Sequence, residues 1–196
     1  MDPDRLERQI TFIVEIGRLK HVLRRTLTIH SDRSENDAEH SWHLAVMAVI
    51  LSEHAGKGVD VFRTVKMVLV HDLVEIDAGD TYCYSDYDPE EKLRREEKAA
   101  DRIFGLLPED QAREVMDLWR EFERAETPEA RFAAALDRVE PLLLNYHTQG
   151  KVWKKHGVRR RQVMERASPI GKSSPDLWEY ARRMIDRAVA EGILSP

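Results

Sequence analysis

Cysteine occurs once in 196 residues, at Cys83. No disulfide can form within the chain, and the composition suits a reducing compartment, so a cytoplasmic protein is expected. Long hydrophobic runs are missing too. The longest unbroken one, Leu44 to Leu51, is far too short to span a bilayer. Positive charge is not in excess: the net charge is −5, which removes the electrostatic case for holding a DNA or RNA polymer. The acidic start, Met1-Asp2-Pro3-Asp4, lacks the features of a signal peptide. No segment alternates long enough to suggest a sheet, and there are no repeats or low-complexity tracts. What these absences leave is an all-α chain, residues 1–196 forming one domain with volume for a real core.

The helices announce themselves by caps and periodicity. Asp2-Pro3 reads as a cap with proline in the first turn, followed by an apolar face of Leu6, Ile10, Ile13, Val14 and Gly17. Arg18, Lys20, Arg24 and Arg25 cluster near the expected end of that helix, where positive charge is favourable. Thr26 to Asp37 is polar without a period and reads as a loop. Glu39-His40-Ser41-Trp42-His43 opens a helix that is apolar on every side from Leu44 to Leu51, the pattern of a central buried helix. Val61 to Ile76 reads as a second buried helix, and Thr81 to Pro89, rich in Tyr and Asp, as a loop after it.

Pro89 starts another helix. Its charge run Glu90 to Lys98 reads as a solvated face with Glu90–Arg94 and Glu91–Arg95 pairs. Pro108-Glu109 and Thr127-Pro128 start two more, the second expected to kink at Pro141. Lys151, Lys154 and His156 read as water-facing. Ser173-Ser174-Pro175 caps the last helix, and the helices of 150–196 are expected to pack on the rest.

One stretch breaks the apolar logic. His71-Asp72 follows Met67-Val68-Leu69-Val70, and ionisable groups at the end of such a run are costly unless something satisfies them. On a helix Glu75 lies one turn further on the same side. Gly79 suits a position past a helix end, turning Asp80 back over the same mouth. Three acids and a histidine at one helix end repel unless a metal or another cation joins them. His40 and Asp137 are likewise polar where apolar residues are expected. Two imidazoles and two carboxylates form a borderline-to-hard donor set suited to Mn, Fe, Co, Ni or Mg. Four protein ligands in an octahedron leave two positions for water and substrate, so one divalent ion with an open position is the expected cofactor.

The order His40, His71-Asp72, Asp137 resembles the HD-domain metal-dependent phosphohydrolases, over residues 18–146. Glu39-His40-Ser41, His71-Asp72-x-x-Glu75-x-x-x-Gly79-Asp80 and Arg18-Leu19-Lys20-x-x-x-Arg24 are similar to the 5′-deoxynucleotidase-like branch. The resemblance implies a helical bundle in which His40, His71, Asp72 and Asp137 bind the metal. It implies that Glu75 and Asp80 serve catalysis and that Arg24 holds the substrate phosphate. No histidine lies between His71 and His147, which favours a one-metal site, and Glu75-Ile76 argues against guanosine tetraphosphate as substrate.

The chain departs from the branch at Arg25, where some members carry an aromatic residue, and this opens the nucleoside preference. The implied activity is hydrolysis of (deoxy)nucleoside 5′-monophosphates or similar small phosphate esters. The competing class is a metal- and nucleotide-binding sensor without turnover, and the presence of both Glu75 and Asp80 favours the enzyme. The resemblance also implies a homodimer, with Trp153, Trp178 and Tyr180 as candidate contacts.

Overall fold

The computed structural model describes residues 3–196, so the cap at Asp2 lies outside the described residues. Short polar side chains set five of the helix starts. Helix α2 (Asp37–Ile50) begins at a reciprocal pair, in which the Asn36 side chain accepts from the Glu39 amide and the Glu39 carboxylate from the Asn36 amide. Asp60 caps α3 (Val61–Val70), Asp88 caps α5 (Pro89–Phe104), Thr127 caps α7 (Pro128–His147) and Ser174 caps α10 (Pro175–Ala190). In the last three a proline takes the first helical position, where its missing N–H is not needed. The other helices are α1 (Pro3–Ile16), α4 (Glu75–Ala78), α6 (Glu109–Arg124), α8 (Lys151–Lys155) and α9 (Arg160–Ala167).

Helix α7 is the axis of the core and runs unbroken through Pro141. Its Phe132, Ala133 and Leu136 are fully buried, against Leu44 and Ala48 of α2, Met67 and Val68 of α3, and Leu177, Ala181 and Ile185 of α10. Each such Leu, Ile or Phe contributes about 1.5–3 kcal/mol by leaving water. A second cluster gathers Leu19, Leu73, Val74, Ala100, Ile103, Phe104 and Trp119. Val70 borders both clusters, so His71-Asp72 leaves α3 at the seam between them.

Several local expectations need correction. The supposed loop Thr26–Asp37 contains half of a two-stranded antiparallel ladder, β1 (Leu23–Leu27) with β2 (Ser34–Asn36), bulged between its ends. Strand alternation is present, but Arg24 and Thr26 point inward while Leu23 and Arg25 are exposed, the reverse of the usual polarity. Hydropathy cannot see such a strand. Arg24 and Arg25 therefore belong to β1, not to the end of the first helix.

Helix α3 stops at Val70. The chain then tightens through i,i+3 bonds, Leu73 to Val70 and Glu75 to Asp72, before α4. Gly79 closes α4 at φ 75°, a backbone open to glycine at low cost. Helix α2 is buried on one side only: Trp42, Val46, Val49 and Ile50 are exposed, as are Phe62 and Leu69 of α3. The apolar positions of α1 (Leu6, Ile10, Ile13 and Val14) also face outward, while Phe12 and Ile16 pack on the second cluster. Among the three contact candidates Trp153 is 2% exposed in the core, Trp178 packs against it, and Tyr180 is open. No helix among the described residues is long and apolar enough to cross a membrane.

Candidate metal centre

Three segments bring the ionisable cluster together. His40 comes from the first turn of α2, His71 and Asp72 from the turn after α3, and Asp137 from the middle of α7. Ligand atoms of His40, His71 and Asp72 lie within 4.8 Å of one another. His40 Nε2 is 3.1 Å from Asp137 Oδ1, and His71 Nε2 is 3.1 Å from Asp72 Oδ1 and 3.9 Å from Asp137 Oδ1.

The tautomer of His71 is fixed by its other nitrogen. Nδ1 lies 2.9 Å from the Val68 carbonyl, which can only accept, so Nδ1 carries a proton and donates it. Nε2 is buried without a hydrogen-bond partner and faces two carboxylates. A neutral imidazole would aim a lone pair at negative charge there, and a cation between them removes the conflict. The donor set present thus fits a divalent ion.

His40 is clamped from both sides. Its Nδ1 is 3.2 Å from Glu140 Oε2, and the other Glu140 oxygen meets His43 Nδ1 at 3.0 Å. Burial and the Arg24 charge push the His40 imidazole down, but Glu140 and Asp137 outweigh them and hold it at about 10. Burial pushes Asp72 up, yet His71 and Arg24 bring it down to about 2. Asp137 is opposed by burial in the same way and held well below the carboxylate range by His40.

A second trio stands beside these groups. Carboxylate oxygens of Asp37, Glu75 and Asp80 lie within 4.8 Å of one another. Burial, then Asp72 and Asp37, push Glu75 well above its ordinary value. Burial and Asp72 raise Asp37 to about 6, and burial raises Asp80. Arg24 crosses between the groups: its Nη1 donates to Asp72 at 2.9 Å and Asp37 at 3.1 Å, and its Nε lies 3.8 Å from Glu35.

His71, Asp72, Glu75, Asp80, Asp137 and Arg24 line a cavity of about 250 Å3. Tyr82, Tyr84 and Tyr87 of the 81–89 segment form part of its wall, and the Phe122 ring sits 4.7 Å from that of His71. The α5 charge run reaches inside: Lys92 and Glu96 line the cavity and pair at 2.6 Å, while the Glu90–Arg94 and Glu91–Arg95 carboxylate pairs do not form. Arg94 instead donates to the Glu90 carbonyl and Arg95 to the Ala78 carbonyl. Arg138 and Arg166 also line the cavity, and burial together with Arg166 lowers Arg138. Lys151 pairs with Asp32, Lys154 is exposed, and His156 lies beside Tyr82.

Sequence reading brings out His40, His71, Asp72, Glu75, Asp80, Asp137 and Arg24; all but His40 line one cavity, and His40, fully buried, meets Asp137 beside it. It misses Glu140, although an acid three residues after Asp137 on an apolar helix carries the same signal. It also misses Glu35 and Asp37, hidden in the apparent loop, and Arg138 and Arg166, which resemble any surface arginine.

The profile described as HD domain matches residues 16–178. The human 5′-deoxynucleotidase HDDC2 is 36% identical over 135 residues, covering 68% of this chain and 65% of the human protein. The chain thus spans about two thirds of that relative's length. The Dictyostelium discoideum 5′-deoxynucleotidase HDDC2 is 31% identical over 143 residues, covering 70% and 75%. The crystal structure of a predicted metal-dependent phosphohydrolase from Magnetospirillum magnetotacticum MS-1 superimposes with a TM-score of 0.95 at 52% identity, covering 98% of this chain and 97% of that one. With a profile match across most of its length and a structural relative of this likeness, the chain belongs to the HD domain family.

Proposed function

We propose that this chain is a metal-dependent phosphomonoesterase acting on (deoxy)nucleoside 5′-monophosphates or similar small phosphate esters. The observation that carries the reading is the bare, buried Nε2 of His71 facing Asp72 and Asp137, with a second acid pair, Glu75 and Asp80, over the same cavity. The names of the curated relatives support the substrate class. A pure sensor has no use for that second pair.

His40, His71, Asp72 and Asp137 would hold one divalent ion, with Mn, Co, Fe, Ni and Mg as the candidates. When bound, it supplies a Lewis acid that polarises the phosphoryl group and acidifies water. The protein's own groups do the rest. Burial raises both Glu75 and Asp80 above their ordinary values, which suits general acid–base work; we assign Asp80 to the leaving oxygen. Arg24 offers phosphate a positive wall from a position anchored by Asp72 and Asp37.

The reading includes a cytoplasmic location, in keeping with the lone cysteine, and a homodimer. The exposed stripe Trp42, Val46, Val49 and Ile50 of α2, beside Phe62 and Leu69 of α3, is the surface that suits a second copy.

The test is phosphate release from nucleoside monophosphates with each metal supplied in turn. Asp72→Ala should lose both metal and activity, and Glu75→Ala should keep metal while turnover falls by about 100-fold or more. Metal uptake without hydrolysis of any monoester would leave the sensor; equal metal loss in both variants would make Glu75 a ligand.

A further inference from the structure

Five cationic side chains and six acids line the cavity, but the acids are not shared evenly among the cations. Arg24 has three carboxylates around it, and Lys92 has Glu96. Arg138 and Arg166 are different. Arg138 follows Asp137 on α7; its Nη1 donates to the Ala134 carbonyl at 2.7 Å, and its Nε is buried with no partner. Among the described residues no carboxylate pairs with it. Arg166, on α9, has Asp137 as its nearest acid inside the cavity, at 3.8 Å. Both arginines also line the surface depression beyond Cys83 and Tyr84, so they stand where the cavity meets solvent.

Two guanidinium groups sharing one space repel; Glu123 acts on Arg138 without pairing with it, and the carboxylate nearest Arg166, Asp137, is also wanted by a bound cation. An ion at His40, His71, Asp72 and Asp137 would draw that charge away. The arginine pair would then face two positive charges with no carboxylate paired to it. A dianion that touches both the ion and the pair resolves this, and a phosphate monoester near neutral pH is such a dianion. Planar guanidinium forks suit its tetrahedral oxygens better than point charges do.

We propose that Arg138 and Arg166 form the principal clamp for the phosphate dianion of the substrate, next to Asp137, with Arg24 mainly neutralising its own ring of acids. The identity of the anion rests on the phosphomonoesterase reading; the need of the pair for an anion does not.

The experiment is calorimetric titration of inorganic phosphate into manganese-loaded protein, with manganese content measured on each sample. Arg166→Gln should weaken phosphate about 10- to 100-fold, the value of one charge-assisted contact, with manganese retained. Arg166→Lys should restore part of the loss, and Arg138→Gln with Arg166→Gln should abolish detectable binding. Arg166 lies 41% exposed on a separate helix, so its variants keep the test valid even if Arg138→Gln fails to fold.

Unchanged phosphate affinity in Arg166→Gln, or loss of manganese together with phosphate, overturns the clamp. If phosphate binds through the pair but no monoester is hydrolysed, the hydrolase reading fails and the clamp stands. If monoesters are turned over equally by wild type and both variants, the clamp fails and the hydrolase reading stands.

Discussion

A protonated imidazole and a divalent ion cannot share His40 Nε2. With Glu140 on one nitrogen and Asp137 on the other, His40 titrates at about 10 in the metal-free protein, so at pH 7 it carries its extra proton. Metal binding through His40 must expel that proton, and the sign follows. Lowering the pH raises the proton occupancy of the site and weakens metal. Raising it toward 10 strengthens metal, by about tenfold per pH unit for one displaced proton. Calorimetry at pH 7 in two buffers of different ionisation heat should show at least about one proton released per ion. Release of none would mean that His40 is not a ligand. Glu140 is the residue that sets this behaviour, and hydropathy conceals it because its neighbours Val139 and Leu142 read as plain core. His71-Asp72 is legible for the opposite reason: two adjacent ionisable groups end an apolar run that has no surface face to offer them.

At the scale of elements, the β1–β2 ladder does work that no hydropathy pattern announces. It carries Arg24 inward to meet Asp72 and Asp37, while Glu35 at the centre of β2 meets Thr26. A strand whose inward residues are an arginine and a threonine looks like a loop, because burial is compensated by ion pairing and not by apolar contact. The consequence is measurable. Arg24 has a side chain only 14% exposed, so Arg24→Ala leaves buried carboxylates facing each other. Removing one partner of such a group costs about 3–5 kcal/mol. Urea unfolding of the metal-free protein should show that loss, larger at pH 8 than at pH 5, where protonation of the acids relieves their repulsion. Saturating manganese should recover part of it. An unchanged midpoint would show that the acids are neutral without Arg24. The helices around this ladder are legible from sequence, since Asp60, Asp88, Thr127 and Ser174 cap them by chemistry that acts within three residues.

For the whole molecule, an all-α domain is readable because α5, α6 and α10 place their buried residues at helical spacing against polar outer faces. Helix α2 misleads for a physical reason: apolar residues all round suggest complete burial within one chain, yet half of them face out. That surplus is accounted for if a second copy covers it. Sedimentation at micromolar concentration should find a dimer. Val49→Glu should weaken it by at least about 100-fold, since a buried unpaired charge costs roughly 3 kcal/mol or more. A wild-type monomer would reject the arrangement.

The position of Asp137 has a consequence for how the chain is made. It lies 97 residues beyond His40 on the helix that also forms the centre of the core. During synthesis Arg24, His40, His71 and Asp72 emerge long before α7 does. At about 5–20 residues per second, the ribosome leaves Leu44, Met67 and Val68 without their core partner for several seconds after Asp72 appears. The emerging half of the chain exposes its stickiest faces in that interval and has neither Asp137 nor Glu140 to close the ligand set. With His40, His71, Asp72 and Asp137 as the proposed ligands, metal acquisition would wait until α7 has been made, and a chain released before it would retain the earlier acids and histidines without Asp137 to complete the set.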